Sequence, residues 1–100
     1  MKRVVITGMG INSCIGNTLE DVTHSLQNGI SGTRLNPVYA ELNFKSHVSA
    51  AAEQDFDNID RRLKRFMGVC AMYAYNAAIA AVENAGLKQE DLANNPRYGI

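Results

Sequence analysis

The stretch Phe66-Met67-Gly68-Val69-Cys70-Ala71-Met72-Tyr73-Ala74-Tyr75-Asn76-Ala77-Ala78-Ile79-Ala80-Ala81-Val82 decides how this chain can fold. None of its 17 residues is charged, and Asn76 is its one clearly polar side chain apart from the tyrosine hydroxyls. Upstream, Asp57, Asn58 and Asp60 offer N-caps; downstream, Gly86 offers a stop. The pattern predicts a helix from near Asp60 to Gly86, about 25 residues and about 38 Å long at 1.5 Å per residue. A helix that is apolar on every side is buried on every side or spans a membrane. A span is disfavoured, because the run is slightly short, Ala-rich and contains Gly68 and Asn76. Burial is therefore expected, and Ala74, Ala77, Ala78, Ala80 and Ala81 are small enough to let neighbours approach closely.

The remaining elements are too few to bury such a helix. Arg3 to Thr7 reads as a strand whose continuous β-branched run Val4-Val5-Ile6 suits a parallel sheet covered on both faces. Gly8-Met9-Gly10 ends it and begins a loop through Gly16. Thr18 is a candidate N-cap for a short helix with Leu19, Val22 and Leu26 on one face, closed by Asn28-Gly29. Residues 30–41 read as irregular, with turns at Ser31-Gly32 and Asn36-Pro37. Leu42, Phe44, Val48 and Ala50 alternate with polar residues as in a strand or hairpin. Leu87 to Asn95 is a short polar helix or turn, and Arg97-Tyr98-Gly99-Ile100 reads as the start of another strand. One strand, one short helix and a hairpin cannot cover the long helix on all sides. The expectation is an N-terminal piece of a longer fold, with no complete independent domain in residues 1–100.

Composition narrows the function classes. The chain has 10 Lys+Arg, 10 Asp+Glu, 46% apolar residues and no Trp among its 100 residues. That apolar content excludes a disordered chain, and zero net charge argues against a dedicated nucleic-acid binder. Two Cys make no disulfide framework. The run Val4-Val5-Ile6 is too short for a secretory h-region, so the expectation is a cytoplasmic protein with reduced thiols.

Few residues could carry chemistry. Gly8-x-Gly10 follows a strand as in a dinucleotide fingerprint, but the third glycine position is Ser13, so a tight turn is the better reading. Cys14 lies in a glycine-flanked loop and Cys70 among apolar residues, where packing is expected for both. His24 reads as a surface helix residue and His47 as one on the polar face of a strand. They share no metal-ligand spacing, and no metal is expected. The basic cluster Arg61, Arg62, Lys64, Arg65 is the better lead. Cations at the start of a long helix oppose its dipole, at a cost of a few tenths of a kcal/mol each. Such a cluster is either a solvated helix end or an anion-docking site where dipole and side chains add, with Lys45 as a further member.

The residues also resemble a known family. Met1-Lys2-Arg3-Val4-Val5-Ile6-Thr7-Gly8-Met9-Gly10 is similar to the opening of β-ketoacyl-acyl-carrier-protein synthases. So are Ile15-Gly16-Asn17, Asn28-Gly29-x-Ser31-Gly32, Asp60-Arg61-Arg62-x-x-Arg65-Phe66-Met67 and Asn95-Pro96-Arg97-x-Gly99, in family order along the whole chain. Lys45-Ser46-His47-Val48 and the Asn-Pro-Arg-x-Gly ending resemble the type I elongating synthases more than type II.

The resemblance implies an α/β fold, the N-terminal part of a thiolase-like αβαβα layered fold that is incomplete at 100 residues. The long apolar helix would lie between sheets, and the protein would be a homodimer. It implies a 3-oxoacyl-acyl-carrier-protein synthase of fatty acid biosynthesis, an acyltransferase that performs decarboxylative Claisen condensation. In that family a Cys takes the acyl group and two His assist malonyl decarboxylation. These residues lie after the matched region, so no catalytic residue is expected in residues 1–100. No resident cofactor is implied, since phosphopantetheine arrives on acyl carrier protein. That acidic partner would dock on Lys45, Arg61, Arg62 and Arg65. Lys64 falls where type I relatives often have an apolar residue and is not carried over. Cys14 stands where relatives often have Ser or Pro and is not a nucleophile. The alternatives are a type II or polyketide ketosynthase, a non-catalytic partner subunit like the chain-length factors, and a small independent binding module.

Overall fold

The structure is a computed structural model that describes residues 2–93 and 95–97. In chain order its elements are α1 (Leu19–Gln27), β1 (Arg34–Leu35), α2 (Pro37–Glu41), β2 (Val48–Ser49), α3 (Arg61–Lys64), α4 (Val69–Asn84) and α5 (Gln89–Ala93). Residues 12–55 form one unit; residues 1–11 and 56–100 form the other.

In the first unit α1 starts where its cap dictates. The Thr18 hydroxyl accepts the Asp21 N–H at 3.1 Å, and Glu20 and Asp21 place negative charge in the first turn. It ends in a Schellman motif with Gly29 at φ 62°, where Ile30 N–H donates to the Ser25 carbonyl at 2.8 Å. The buried residues of α1 are Val22 and Ser25, and Leu26 is exposed, contrary to the expected Leu19/Val22/Leu26 face. Ser25 can be buried because its hydroxyl donates to the Ile15 carbonyl at 2.8 Å.

Residues 30–41 are more ordered than the turn signals imply. Asn36 caps α2, its side chain accepting the Val38 N–H at 3.1 Å, and Pro37 occupies the first helical position. The Asn-Pro pair is thus a helix start. A second Schellman motif closes α2 with Asn43 at φ 54°, and the Tyr39 and Phe44 rings meet at 5.2 Å across it. The alternating segment 42–50 yields only β2, because α2 and its closing turn take the residues up to Phe44. β2 pairs antiparallel with β1, Arg34 facing Ser49 and Leu35 facing Val48. The pairing among the described residues is therefore a two-stranded ribbon, and the layers of an αβαβα fold are not developed in it.

In the second unit the expected strand Arg3–Thr7 forms no strand pairing among the described residues. Val4 is 94% exposed. A strand exists only through pairing at about 4.8 Å, and this unit supplies no neighbour for it. The segment is fixed instead through its glycines. A methyl group on Gly10 would overlap the Ala77 carbonyl oxygen and stand 2.6 Å from Ala81 N; one on Gly8 would overlap the Ala81 carbonyl oxygen and stand 2.6 Å from Ala85 N. Between them, Met9 N–H donates to Asn84 Oδ1 at 3.0 Å.

The long helix expected from Asp60 to Gly86 is two helices. The chain leaves α3 through bonds from Phe66 N–H to Leu63 O and from Met67 N–H to Lys64 O, both spanning three residues. Gly68 then takes extended angles, φ −73° and ψ 164°, and α4 starts after it without a side-chain cap. Glycine inside a helix costs about 1 kcal/mol relative to alanine, so the break falls there. The C-terminal stop is where the sequence puts it. Gly86 has φ 68°, and Leu87 N–H reaches the Val82 carbonyl at 3.1 Å.

Burial is sparser than an all-round apolar helix requires. Asn76 is the buried residue of α4, and Val22 and Ile59 are the buried hydrophobics among the described residues. Cys70, expected to be packed, is exposed on the first turn of α4. The chain exposes 8671 Å², against about 5,600 Å² for a self-contained monomer of its mass. The expected strand 97–100 lies outside the described residues except for Arg97, whose N–H donates to Asn95 Oδ1 in a turn.

Two substitutions in the intact protein separate these local arguments. Gly10→Ala should destabilise by about 1–3 kcal/mol, because backbone atoms of α4 must move to admit the methyl. Gly68→Ser meets open space and supplies the missing cap, so it should stabilise by about 0.3 kcal/mol. Denaturant melts of the two variants should move in opposite directions.

Candidate functional site

The basic residues singled out by the sequence fall in both units. Arg61 and Arg62 lie on α3 and Arg65 immediately follows it; all three are exposed. Lys45 is exposed in the bend between α2 and β2 of the other unit.

The single turn of α3 changes the electrostatics expected for the cluster. Four residues align few peptide dipoles, and the break at Gly68 separates them from α4. Arg61, Arg62 and Lys64 therefore do not oppose a long helix dipole, and equally draw no field from one. The positive character of the turn rests on the side chains alone.

Local carboxylates are engaged elsewhere. Asp60 is the N-cap of α3, its Oδ1 accepting the Arg62 N–H at 2.7 Å. Asp57 Oδ1 lies 3.5 Å from Lys64 Nζ. Arg61, Arg62 and Arg65 form no ion pair among the described residues. Three guanidinium groups, each a planar fork suited to carboxylate or phosphate, are thus presented to solvent.

Residues 56–60 fasten this turn to α4. The Phe56 and Tyr73 rings pack edge to face at 5.0 Å. Asn58 Nδ2 donates to Asn76 Oδ1 at 2.9 Å, and Ile59 is only 3% exposed. Sequence reasoning did not assign these contacts. Their signal was present, since Asn76 is the lone polar side chain in a charge-free run, and a buried amide needs a partner.

The other candidates carry no chemistry visible in the structure. Cys14 is half-buried, and a methyl on Gly32 would stand 2.6 Å from its Sγ, so the loop is closed tightly over the thiol. His24 is exposed on α1, and His47 is exposed with its carbonyl accepting the Asn36 N–H at 2.7 Å, both as expected of structural residues. Gly8 and Gly10 face α4, which leaves a packing role for the Gly-x-Gly pair. No cluster of His, Cys, Asp and Glu among the described residues could hold a metal ion, and no described helix is long and apolar enough to cross a membrane.

Comparison with known proteins agrees with the motifs. Residues 1–100 match the family described as beta-ketoacyl synthase, N-terminal domain. The chain is 46% identical over 101 residues to 3-oxoacyl-acyl-carrier-protein synthase 1 of Haemophilus influenzae and 41% identical to that of Escherichia coli strain K12. It is 33% identical over 102 residues to 3-oxoacyl-acyl-carrier-protein synthase 2 of Coxiella burnetii. The first two alignments cover 100% of this chain and 25% of the relative, the third 99% and 24%. The chain therefore belongs to the β-ketoacyl synthase family, within its N-terminal domain, and spans about a quarter of the length of these curated relatives. The family implies a thiolase-like fold.

The clamp beneath the basic turn gives a direct measurement. Asn76→Ala removes the partner of Asn58 inside a site where Asn76 is 8% exposed, so the intact protein should lose about 1–3 kcal/mol in a denaturant melt.

Proposed function

We propose that this chain is the N-terminal part of a 3-oxoacyl-acyl-carrier-protein synthase of fatty acid biosynthesis. The observation that carries the reading is the continuous family match over residues 1–100 together with the relatives of that name. The type I subtype is favoured, since the synthase 1 relatives reach 46% identity and the synthase 2 relative 33%. The whole protein would be an acyltransferase that condenses an acyl-enzyme thioester with malonyl-acyl carrier protein. It would act in the cytoplasm as a homodimer without a resident cofactor, with phosphopantetheine brought by the carrier.

Within that reaction these residues bind and support; they do not supply the nucleophile. Arg61, Arg62 and Arg65 form a docking patch for the acidic carrier protein, and Lys45, in the other unit, is a separate contact. Free guanidinium groups opposite an acidic surface raise association rate and fix orientation. The sparse burial supports reading residues 1–100 as part of a larger body, in which the Arg3–Thr7 segment is a sheet strand and α4 is covered by layers from the rest of the protein.

Two measurements test this. The intact protein, given acyl- and malonyl-acyl carrier protein, should release CO2 and form 3-oxoacyl carrier protein; a folded protein that releases none is a non-catalytic partner subunit. The Arg61→Glu, Arg62→Glu double variant should bind carrier protein about tenfold or more weakly at low salt, with the melting temperature unchanged. Equal binding by the variant and the parent removes the docking claim.

A further inference from the structure

Resting on the docking reading, we infer that Asn58 is a positioning residue for the basic turn: tied to Asn76 of α4, it fixes where Arg61 and Arg62 stand and so how long an acidic partner stays bound. The helix α3 cannot hold its own orientation. It has four residues, none of them buried, whereas an isolated helix is marginal below about 12–15 residues. The placement of its arginines is therefore inherited from the segments on either side. On the C-terminal side Phe66 is 90% and Val69 58% exposed, and Gly68 has no side chain to anchor. On the N-terminal side the chain is fastened. Ile59 N–H donates to the Phe56 carbonyl at 3.0 Å and closes a turn. Asn58 sits inside that turn, and its Nδ2 donates to Asn76 Oδ1 at 2.9 Å. Asn76 is buried in the middle of a 16-residue helix, which makes it a firm post. Tyr73, three residues earlier and so on the same face of α4, meets the Phe56 ring. Directly after Ile59, Asp60 caps α3 by accepting the Arg62 N–H at 2.7 Å. The amide clamp is thus followed within two residues by a cap that grips the backbone of Arg62 itself.

Charge and orientation act on different steps of binding. Steering of an oppositely charged partner follows the number and sign of the charges and acts on association. A bidentate guanidinium contact forms only where the planar fork meets its acceptor squarely, and its loss appears in dissociation. Asn58 carries no charge, so removing its amide leaves the steering field intact and loosens the forks.

The test measures association and dissociation rates of acyl carrier protein with the intact protein, below its melting temperature and at two salt concentrations. Asn58→Ala should raise koff about threefold or more, with kon and its salt dependence within about twofold of the parent. Phe56→Leu, a milder change at the other anchor of the same turn, should raise koff in the same way, and it decides the matter if Asn58→Ala does not fold. Thr18→Ala removes the α1 cap in the other unit; it should lower the melting temperature and leave koff at the parent value. In an Asn76→Ala background, Asn58→Ala should add nothing further to koff. An unchanged koff in Asn58→Ala overturns the inference, as does an equal rise in Thr18→Ala, which would mark a general effect of stability. A full further rise in the Asn76→Ala background also overturns it, since Asn58 would then touch the partner itself. The Arg61→Glu, Arg62→Glu variant, run alongside, separates the two readings. If it binds normally, the docking reading fails; if it binds weakly while Asn58→Ala and Phe56→Leu dissociate like the parent, only the role of Asn58 fails.

Discussion

Two backbones lie in contact along α4, and the second unit is organised around that approach. Ala77, Ala81 and Ala85 recur every fourth residue and so form one stripe. Gly8 and Gly10 lie against it with no room for a side chain, and the Met9–Asn84 hydrogen bond between them fixes the register. A slip by one residue would bring Met9 or Ile11 onto the alanine ridge. The opposite requirement acts further along the same helix, where Tyr73 and Asn76 carry the side chains that hold Phe56 and Asn58. Small residues in one part of α4 and larger or polar ones in another thus place both the N-terminal segment and the loop that leads into the basic turn.

Helix ends were the most legible part of the fold. Thr18, Gly29 and Gly86 act where their chemistry predicts, because caps depend on residues within one turn. The break at Gly68 was harder to read. The apolar run continues through it without interruption, and only the backbone cost of glycine marks the boundary between α3 and α4. Strands were least legible. Val4-Val5-Ile6 has the composition of a buried strand, but composition cannot supply the neighbour that pairing needs. Conversely, Arg34-Leu35 carries no strand signal and pairs because α2, capped by Asn36, turns the chain back toward Val48-Ser49.

The basic residues that the sequence singles out are exposed, but the physics expected behind them differs. Arg61, Arg62 and Arg65 are exposed. The long helix dipole assumed to stand behind them is absent, because four residues end before one accumulates. The positive character of the turn comes from the side chains of Arg61, Arg62, Lys64 and Arg65. One carboxylate is spent on a cap and another faces Lys64, an arrangement that spacing alone does not reveal.

The exposure of the chain and its family membership bear on each other. A monomer of this mass that folded around its own core would expose about 3,100 Å² less than the 8671 Å² observed. The apolar residues left uncovered include Val4, Val5 and Ile6, a run whose continuous β-branched character suits a strand covered on both faces. The relatives are about four times as long as this chain, since the aligned residues cover 25% of them. The exposed arginines differ in kind, because charged groups without partners gain little from burial.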